Sequence, residues 1–273
     1  MEYIIQENLF REEHYDLLHL SLERLGLKHT TVRVFPFIDK ITDINLIPDD
    51  FPHVDDLPDY EPKDNKVFIF GSTKMSRIAK EREWYIGTLL NDNHDYEVYS
   101  QYYKDNLLNY DSDIVTLTSK INWKEDELKF IRPTLDTKAF TGALFTEIEF
   151  NEMIENYLHN YKSKAFNENT LIQIASPKNI YKEIRCWVVD GKIITASQYR
   201  LGSMFLLDHD VEQEALDYAQ SMVDIFQLAE AFIIDVCLTE NGWKIVECGN
   251  INVAGFYKSD IQKMLIAVED KFN

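Results

Sequence analysis

Apolar residues in the first third of the chain switch between two spacings. Tyr3, Ile4 and Ile5 form a short continuous run, as a buried strand does. Residues 12–25 then carry Leu18, Leu22 and Leu25 at helical spacing, with Gly26 behind them as a C-cap. Residues 31–36 read as a second strand and residues 39–66 as a loop rich in Pro and Asp. Residues 67–70 read as a buried strand that enters the small turn Gly71-Ser72, and a helical stretch follows to about residue 90. This succession predicts an α/β unit, whose ligands gather at the carboxyl ends of the strands. Taken alone, Gly71-Ser72 reads as an ordinary turn. Residues 91–113 are polar and charge-dense, which predicts a connection between two units. Tyr96, Tyr99, Tyr102 and Tyr103 within it read as packing rather than as a binding wall.

The second half has longer signals. Residues 129–133 are extended, because Pro133 disfavours helical geometry at Arg132. Residues 147–161 form a helix, with Phe150, Met153, Ile154, Tyr157, Leu158 and Tyr161 on one stripe. Thr146 and Glu149 supply a capping box at its start. A second helix spans residues 211–230. A hairpin over residues 180–200 turns at Asp190-Gly191, the preferred two-residue pair. That loop pairs Arg185 with Ala196, Glu183 with Gln198 and Tyr181 with Arg200. Glu183, Arg185, Gln198 and Arg200 then share one face, and Ile184, Cys186, Val188 and Ile193 the other.

The last hairpin joins the apolar strand at residues 231–238 to that at residues 243–248. Asp235 sits inside the first of these. A carboxylate there is costly unless it is paired or coordinates a cation. A three-residue loop, Glu240-Asn241-Gly242, pairs Asp235 with Glu247 on one face. A two-residue loop, Asn241-Gly242, sends Glu247 to the opposite face. The expectation is the three-residue register. Two adjacent carboxylates repel unless a divalent ion lies between them, which makes Asp235 and Glu247 candidate Mg²⁺ ligands. Asn250 and Asn252 follow as further hard oxygen donors.

Composition narrows the chemistry. The 273 residues carry 28 Lys and Arg against 47 Asp and Glu, a formal charge of −19. A surface of that sign argues against nucleic acid as a partner. No apolar run approaches the ~18 residues of a membrane span, and the first ten residues do not read as a signal peptide. Cys186, Cys237 and Cys248 lack metal or disulfide spacing and read as core residues of a reducing, cytoplasmic compartment. Mg²⁺ held by two carboxylates commonly bridges to phosphates, so a nucleoside triphosphate is the expected ligand. Arg132, Lys138, Arg185 and Arg200 are the candidate phosphate cations. The chain contains no GxxxxGK[ST], GxGxxG, HRD or DFG motif, which sets aside P-loop, Rossmann and protein-kinase readings.

Three segments, FIRPTLDTKAFTG (130–142), YKEIRCWVVDGKIITASQYR (181–200) and FIIDVCLTENGWKIVECGNINVAGFY (232–257), together resemble the ATP-grasp superfamily. Within it they most resemble the bacterial and phage clade named for two arginines and one lysine. The resemblance implies an α/β chain: a pre-ATP-grasp unit over residues 1–110, then an ATP-grasp domain over 111–273. That domain divides into a lid at about 111–170 and a carboxyl-terminal subdomain at about 171–273, clasping ATP between them. It also implies a ligase that uses ATP and Mg²⁺ to activate a small-molecule or peptide carboxylate as an acyl phosphate. An amine or thiol acceptor then attacks, releasing ADP and phosphate. By matching position, Asp235 and Glu247 would hold the metal, and Arg132 and Lys138 the phosphates. The strand containing Ile174 and Ala175 would meet the adenine, and Glu183 and Arg185 would form the E-x-R of the clade. Arg200 would stabilise the transferred group. One departure stands out: Gly249 occupies a place where relatives commonly carry Asn, leaving Asn250 or Asn252 as the amide ligand. The alternatives are a nucleotide-binding module without turnover and an interaction protein.

Overall fold

The structure is a computed structural model that describes residues 1–7, 12–35, 38–48, 53–134, 140–160 and 167–273. Three sheets organise it. The first is built from β1 (Glu2–Gln6), β2 (Lys28–Val34), β3 (Ile41–Asp43), β4 (Val67–Phe70) and β5 (Ile86–Gly87), in the order β3-β2-β1-β4-β5. β2, β1, β4 and β5 run parallel, and β3 joins the edge antiparallel. Residues of β1 and β4 are buried on both faces, which explains their unbroken apolar runs.

Helix α1 (Glu12–Arg24) buries Leu18 and Leu22. It stops where predicted. Gly26 adopts φ +66°, Gly26 N–H bonds Glu23 O at 3.0 Å, and Leu27 N–H bonds Leu22 O at 2.9 Å. Those two bonds make a Schellman cap. Helix α2 (Thr73–Glu81) is shorter than the expected stretch to residue 90; Arg82 caps it and Glu83 turns the chain at φ +54°.

Residues 91–113 are not an open connection. They contain α3 (Tyr96–Tyr103), whose Tyr96, Tyr99 and Tyr103 point into the core of the largest sheet. Tyr103 Oη bonds Phe226 O at 2.8 Å, and Tyr102 stacks on Phe226 at 3.9 Å between ring centroids. The tyrosines therefore pack, as read from the sequence; the unforeseen part was the helix that aligns them. Just before it, the buried His94 caps a short turn by pairing its Nδ1 with Asn91. Burial lowers the His94 pKa from 6.5 to about 4. The native state therefore rejects a proton that the unfolded chain accepts, and stability falls as pH drops from 6.5 towards 4. Relative to His94→Gln, the parent chain is expected to lose about 2 kcal/mol more between pH 7.5 and pH 5. Urea unfolding of both at the two pH values checks this.

The second sheet has the order β6-β9-β7-β8, from β6 (Asp113–Thr116), β7 (Lys129–Pro133), β8 (Ala143–Phe145) and β9 (Leu171–Ala175). Helix α4 (Glu147–Asn160) covers it, and the two enclose their own core around Ile131, Phe150, Ile172 and Ile174. The predicted capping box is present: Thr146 N–H donates to Glu149 at 2.9 Å, and Glu149 N–H donates to Thr146 Oγ1 at 3.3 Å. Tyr161, at the end of the predicted stripe, lies outside the described residues.

The third sheet is antiparallel, in the order β12-β11-β10-β13-β14. Its strands are β10 (Ile180–Val189), β11 (Lys192–Leu201), β12 (Met204–Asp208), β13 (Ala231–Thr239) and β14 (Gly242–Gly249). Helix α5 (Gln213–Ile225) packs on one face with α3. On the other face, Trp187, Val189, Ala231 and Ile233 share a core with Tyr3, Phe68, Phe70 and helix α6 (Ile261–Phe272). The first and third sheets are thus joined through one hydrophobic core, whereas the second sheet has a core of its own.

Candidate functional site

The third sheet leaves one part of its inner face uncovered by α6, and the predicted polar residues stand there. Their alignment depends on bulges. The β10–β11 hairpin turns at Asp190 (φ +51°) and Gly191 (φ +71°), as expected. Its ladder, however, skips Ile194 and then Tyr199. The observed partners are Arg185 with Ser197, Ile184 with Gln198, and Glu183 with Arg200. Gln198 therefore leaves the charged face, contrary to strict alternation, while Arg200 arrives opposite Glu183. A bulge inserts one unpaired residue and re-aims its neighbours, which alternation cannot foresee.

The β13–β14 hairpin corrects a second expectation. Its loop is neither of the two anticipated. Thr239 pairs with Gly242 around the two-residue turn Glu240-Asn241, and Leu238 pairs with Trp243. Continued regularly, that register would place Val246 opposite Asp235. A bulge between Asp235 and Val236 leaves Val246 unpaired on β14, so Asp235 faces Glu247 after all. The two carboxylates share a face by a route different from the three-residue loop.

Arginines and carboxylates pair across this face, and Glu247 is shared by Arg132 at 2.9 Å and Arg185 at 4.0 Å. Arg185 Nε and Nη2 donate to the two oxygens of Asp235 at 2.9 and 2.8 Å, and its Nη1 donates to Gly255 O at 3.2 Å. Asp235 is 1% exposed. Burial pushes its pKa up to about 6, and Arg185 works against that rise. Burial opposes the charge of Arg185, but the adjacent Asp235 outweighs it and holds the guanidinium charged. The guanidinium also lies over the Tyr257 ring at 4.9 Å and near Tyr199 at 5.8 Å. Arg200 Nη1 donates to Glu183 at 2.7 Å, and Tyr199 Oη donates to the other Glu183 oxygen at 2.6 Å. Arg132, reaching across from β7, meets Glu247 at 2.9 Å.

Part of this cluster borders a cavity of about 860 Å³ between the second and third sheets, within the size range of small-molecule sites, while Arg185, Asp235 and Tyr257 lie behind its wall. Arg132, Glu183, Tyr199, Arg200 and Glu247 line it, with Phe130, Phe140 and Val246 as apolar wall. Ile174 and Ala175 do not line it. Ile174 packs into the core of the second sheet, and the wall is formed just beyond, by Ser176, Lys178 and Asn179. Lys138 lies outside the described residues.

The two asparagines are drawn elsewhere. Asn252 is fully buried, and its Oδ1 accepts from Leu89 N–H at 2.8 Å and Thr88 Oγ1 at 3.3 Å. Its Nδ2 donates to Ile69 O at 2.8 Å and Gly87 O at 3.5 Å. These four hydrogen bonds fasten the end of β14 to the first sheet, and they favour reading Asn252 as a clip over the expected ligand role. Asn250 Oδ1 accepts from Asn252 N–H at 3.2 Å, and its Nδ2 donates to Thr88 Oγ1 at 3.1 Å. Gly71 belongs to the same junction: its N–H donates to Asn252 O at 2.9 Å, which explains the small turn without a ligand.

Gly249 pairs with Ile233, and a Cβ there would stand 3.2 Å from the Ile233 side chain. The glycine makes room for the core. Among the described residues, no group of three His, Cys, Asp or Glu side chains surrounds one point. A pair of carboxylates on one face still fits Mg²⁺, which needs only one or two protein carboxylates beside phosphate and water. Tyr199, Tyr257 and Val246, together with Lys178 and Asn179 on the cavity wall, are site residues that sequence reasoning missed. Two of them sit at bulges, where periodicity carries no signal.

Comparison with known proteins agrees with this architecture. The profile of an ATP-grasp domain, family 3 of the clade named for two arginines and one lysine, matches residues 61–268. Among solved structures, the D-alanine–D-alanine ligase from Bacillus anthracis complexed with ATP superposes with a TM-score of 0.57 at 10% identity, covering 99% of this chain and 96% of that one. The ATP-grasp RimK domain protein from Sphaerobacter thermophilus gives 0.57 at 10% identity, covering 98% of each chain. The ATP-grasp ligase PsnB, complexed with minimal precursor, gives 0.54 at 8% identity, covering 100% of this chain and 99% of that one. At such identities the likeness is one of fold. No curated protein matches the sequence.

Proposed function

The chain belongs to the ATP-grasp domains, in the third family of the two-arginine, one-lysine clade, and on that premise we propose that it is an ATP- and Mg²⁺-dependent ligase. One observation carries the reading. Asp235 and Glu247 stand opposite each other, Glu247 lines a cavity of about 860 Å³ together with Arg132 and Arg200, and Arg185 pairs with Asp235 behind that wall.

In the proposed reaction a substrate carboxylate oxygen attacks the γ-phosphorus of ATP and ADP leaves. An amine or thiol then attacks the acyl phosphate carbon, phosphate departs, and the nucleophile loses its proton. Asp235 and Glu247 would hold the metal, with the Asn250 carboxamide next along the chain. When bound, Mg²⁺ supplies charge neutralisation at the phosphates and a fixed geometry for them. Arg132, on the lid sheet, contacts the polyphosphate. Arg185 is anchored by two hydrogen bonds and keeps Asp235 ionised. Arg200, half exposed and tethered by Glu183, is placed to meet charge that develops on the transferred group. Ser176, Lys178 and Asn179 take the place of Ile174 and Ala175 as the wall against which the base lies. The carboxylate substrate is a small molecule or a peptide.

Incubation with Mg·ATP, a broad panel of carboxylic acids and hydroxylamine is expected to yield ADP and an acyl hydroxamate with at least one acid. Release of neither product across the panel, by a chain that still binds Mg·ATP, would instead favour a nucleotide-binding module without turnover. Gly249, which brings no side-chain ligand to the metal, is the feature that keeps this second reading in view.

A further inference from the structure

The cations that border the cavity are already engaged. Among the described residues that line it, Arg132 holds Glu247, Arg200 holds Glu183 and Lys178 holds Asp111; behind them Arg185 holds Asp235, with its Nη2 also 4.0 Å from Glu247. The pairs differ in depth. The side chains of Arg185 and Asp235 are 10% and 1% exposed, whereas those of Arg132 and Glu247 are 22% and 36% exposed. Breaking the first pair strands a charge away from water. The Arg132–Glu247 pair can open with both groups still reachable by solvent and ions. It also joins two sheets, because Arg132 stands on the second sheet and Glu247 on the third.

We infer that the Arg132–Glu247 pair makes this site select metal-loaded nucleotide over free nucleotide. The inference rests on the nucleotide reading above. A bare polyphosphate must compete with Glu247 for Arg132, and it brings its own negative charge against the carboxylate it displaces. A divalent ion that occupies Glu247 removes both penalties: the carboxylate has a new counter-charge, and the guanidinium turns to phosphate. By linkage, the nucleotide then raises ion affinity by the same factor that the ion raises nucleotide affinity. A planar, always charged guanidinium suits both partners, since carboxylate and phosphate each accept its paired donors.

The test measures ADP binding by calorimetry at constant ionic strength, with MgCl₂ or with EDTA. It uses the full chain and the variants Glu247→Gln, Arg132→Met and the double substitution. In EDTA, the parent chain is expected to bind ADP about tenfold more weakly than in Mg²⁺. Glu247→Gln in EDTA is expected to bind ADP about fivefold more tightly than the parent in EDTA, with little further gain from Mg²⁺. The double variant should lose that gain, because it acts through Arg132. Thermal midpoints near that of the parent confirm folding, and both positions are solvent-accessible. The inference is overturned if Glu247→Gln binds metal-free ADP no better than the parent, or if the gain survives removal of Arg132. A parent chain that binds no ADP even with Mg²⁺ overturns the nucleotide reading itself, and this inference with it.

Discussion

Arg185→Met is expected to destabilise the folded chain by roughly 3–5 kcal/mol, the usual consequence of leaving one member of a buried ion pair alone. Asp235 would remain 1% exposed among β-strands, without the two guanidinium hydrogen bonds that now satisfy it. In a chain of this size each kcal/mol moves the thermal midpoint by about 2–4 °C, so a fall of the order of ten degrees is expected. The instructive comparison is Arg185→Met combined with Asp235→Leu. Replacing both charges removes the stranded anion, and stability should return to within about 2 kcal/mol of the parent. Binding of Mg·ADP should be lost all the same. That pattern would mean the pair is retained for chemistry at a cost in stability. A double variant as unstable as the single one would show that the packing itself requires the charges.

Asn252→Ala is expected to cost about 2–4 kcal/mol, because Leu89 N–H and Ile69 C=O would lose their partners inside the protein. Its effect on Mg²⁺ affinity, measured with ADP present, should be less than about threefold, well under the 10–100-fold typical of removing support from a metal site. Calorimetry and denaturant unfolding on one preparation separate the two effects. A tenfold loss of Mg²⁺ affinity with unchanged stability would restore Asn252 as a ligand.

The contrast between these two positions shows how far the sequence could be read. Asp235 announced itself, since a carboxylate in a strand of apolar neighbours needs a partner. The capping box at Thr146 and the turn at Asp190-Gly191 were equally legible, because their signals are local. Asn252 looked like a ligand because its chemistry suits one. Its true partners, Ile69, Gly87 and Leu89, lie more than 160 residues away in sequence, and only the folded topology brings them together. The bulges at Ile194, Tyr199 and Val246 were invisible for another reason. A ladder irregularity is decided by the packing of both strands, not by the composition of one. The Asp235–Glu247 alignment was therefore anticipated through a loop that does not exist. Short strands such as β6, β8 and β12 carry too few residues for alternation to register, and α3 was hidden by tyrosines that are polar by composition and apolar by use.

The core shared by β1, β4 and α6 bears on how this protein can be dissected. The segment that matches the family profile begins at residue 61 and ends at 268. A fragment cut to those limits would keep β4 but discard β1 and β2. Phe68 and Phe70 would lose Tyr3, Ile5, Leu18 and Leu22 from their surroundings, and α6 would lose its last residues together with Phe272. Apolar surface of that extent, newly wetted, favours aggregation over folding. The stretch of chain that is recognisable by ancestry is thus shorter than the stretch that must be synthesised for it to fold. Biochemical work on the ATP-grasp domain should keep β1 and β2.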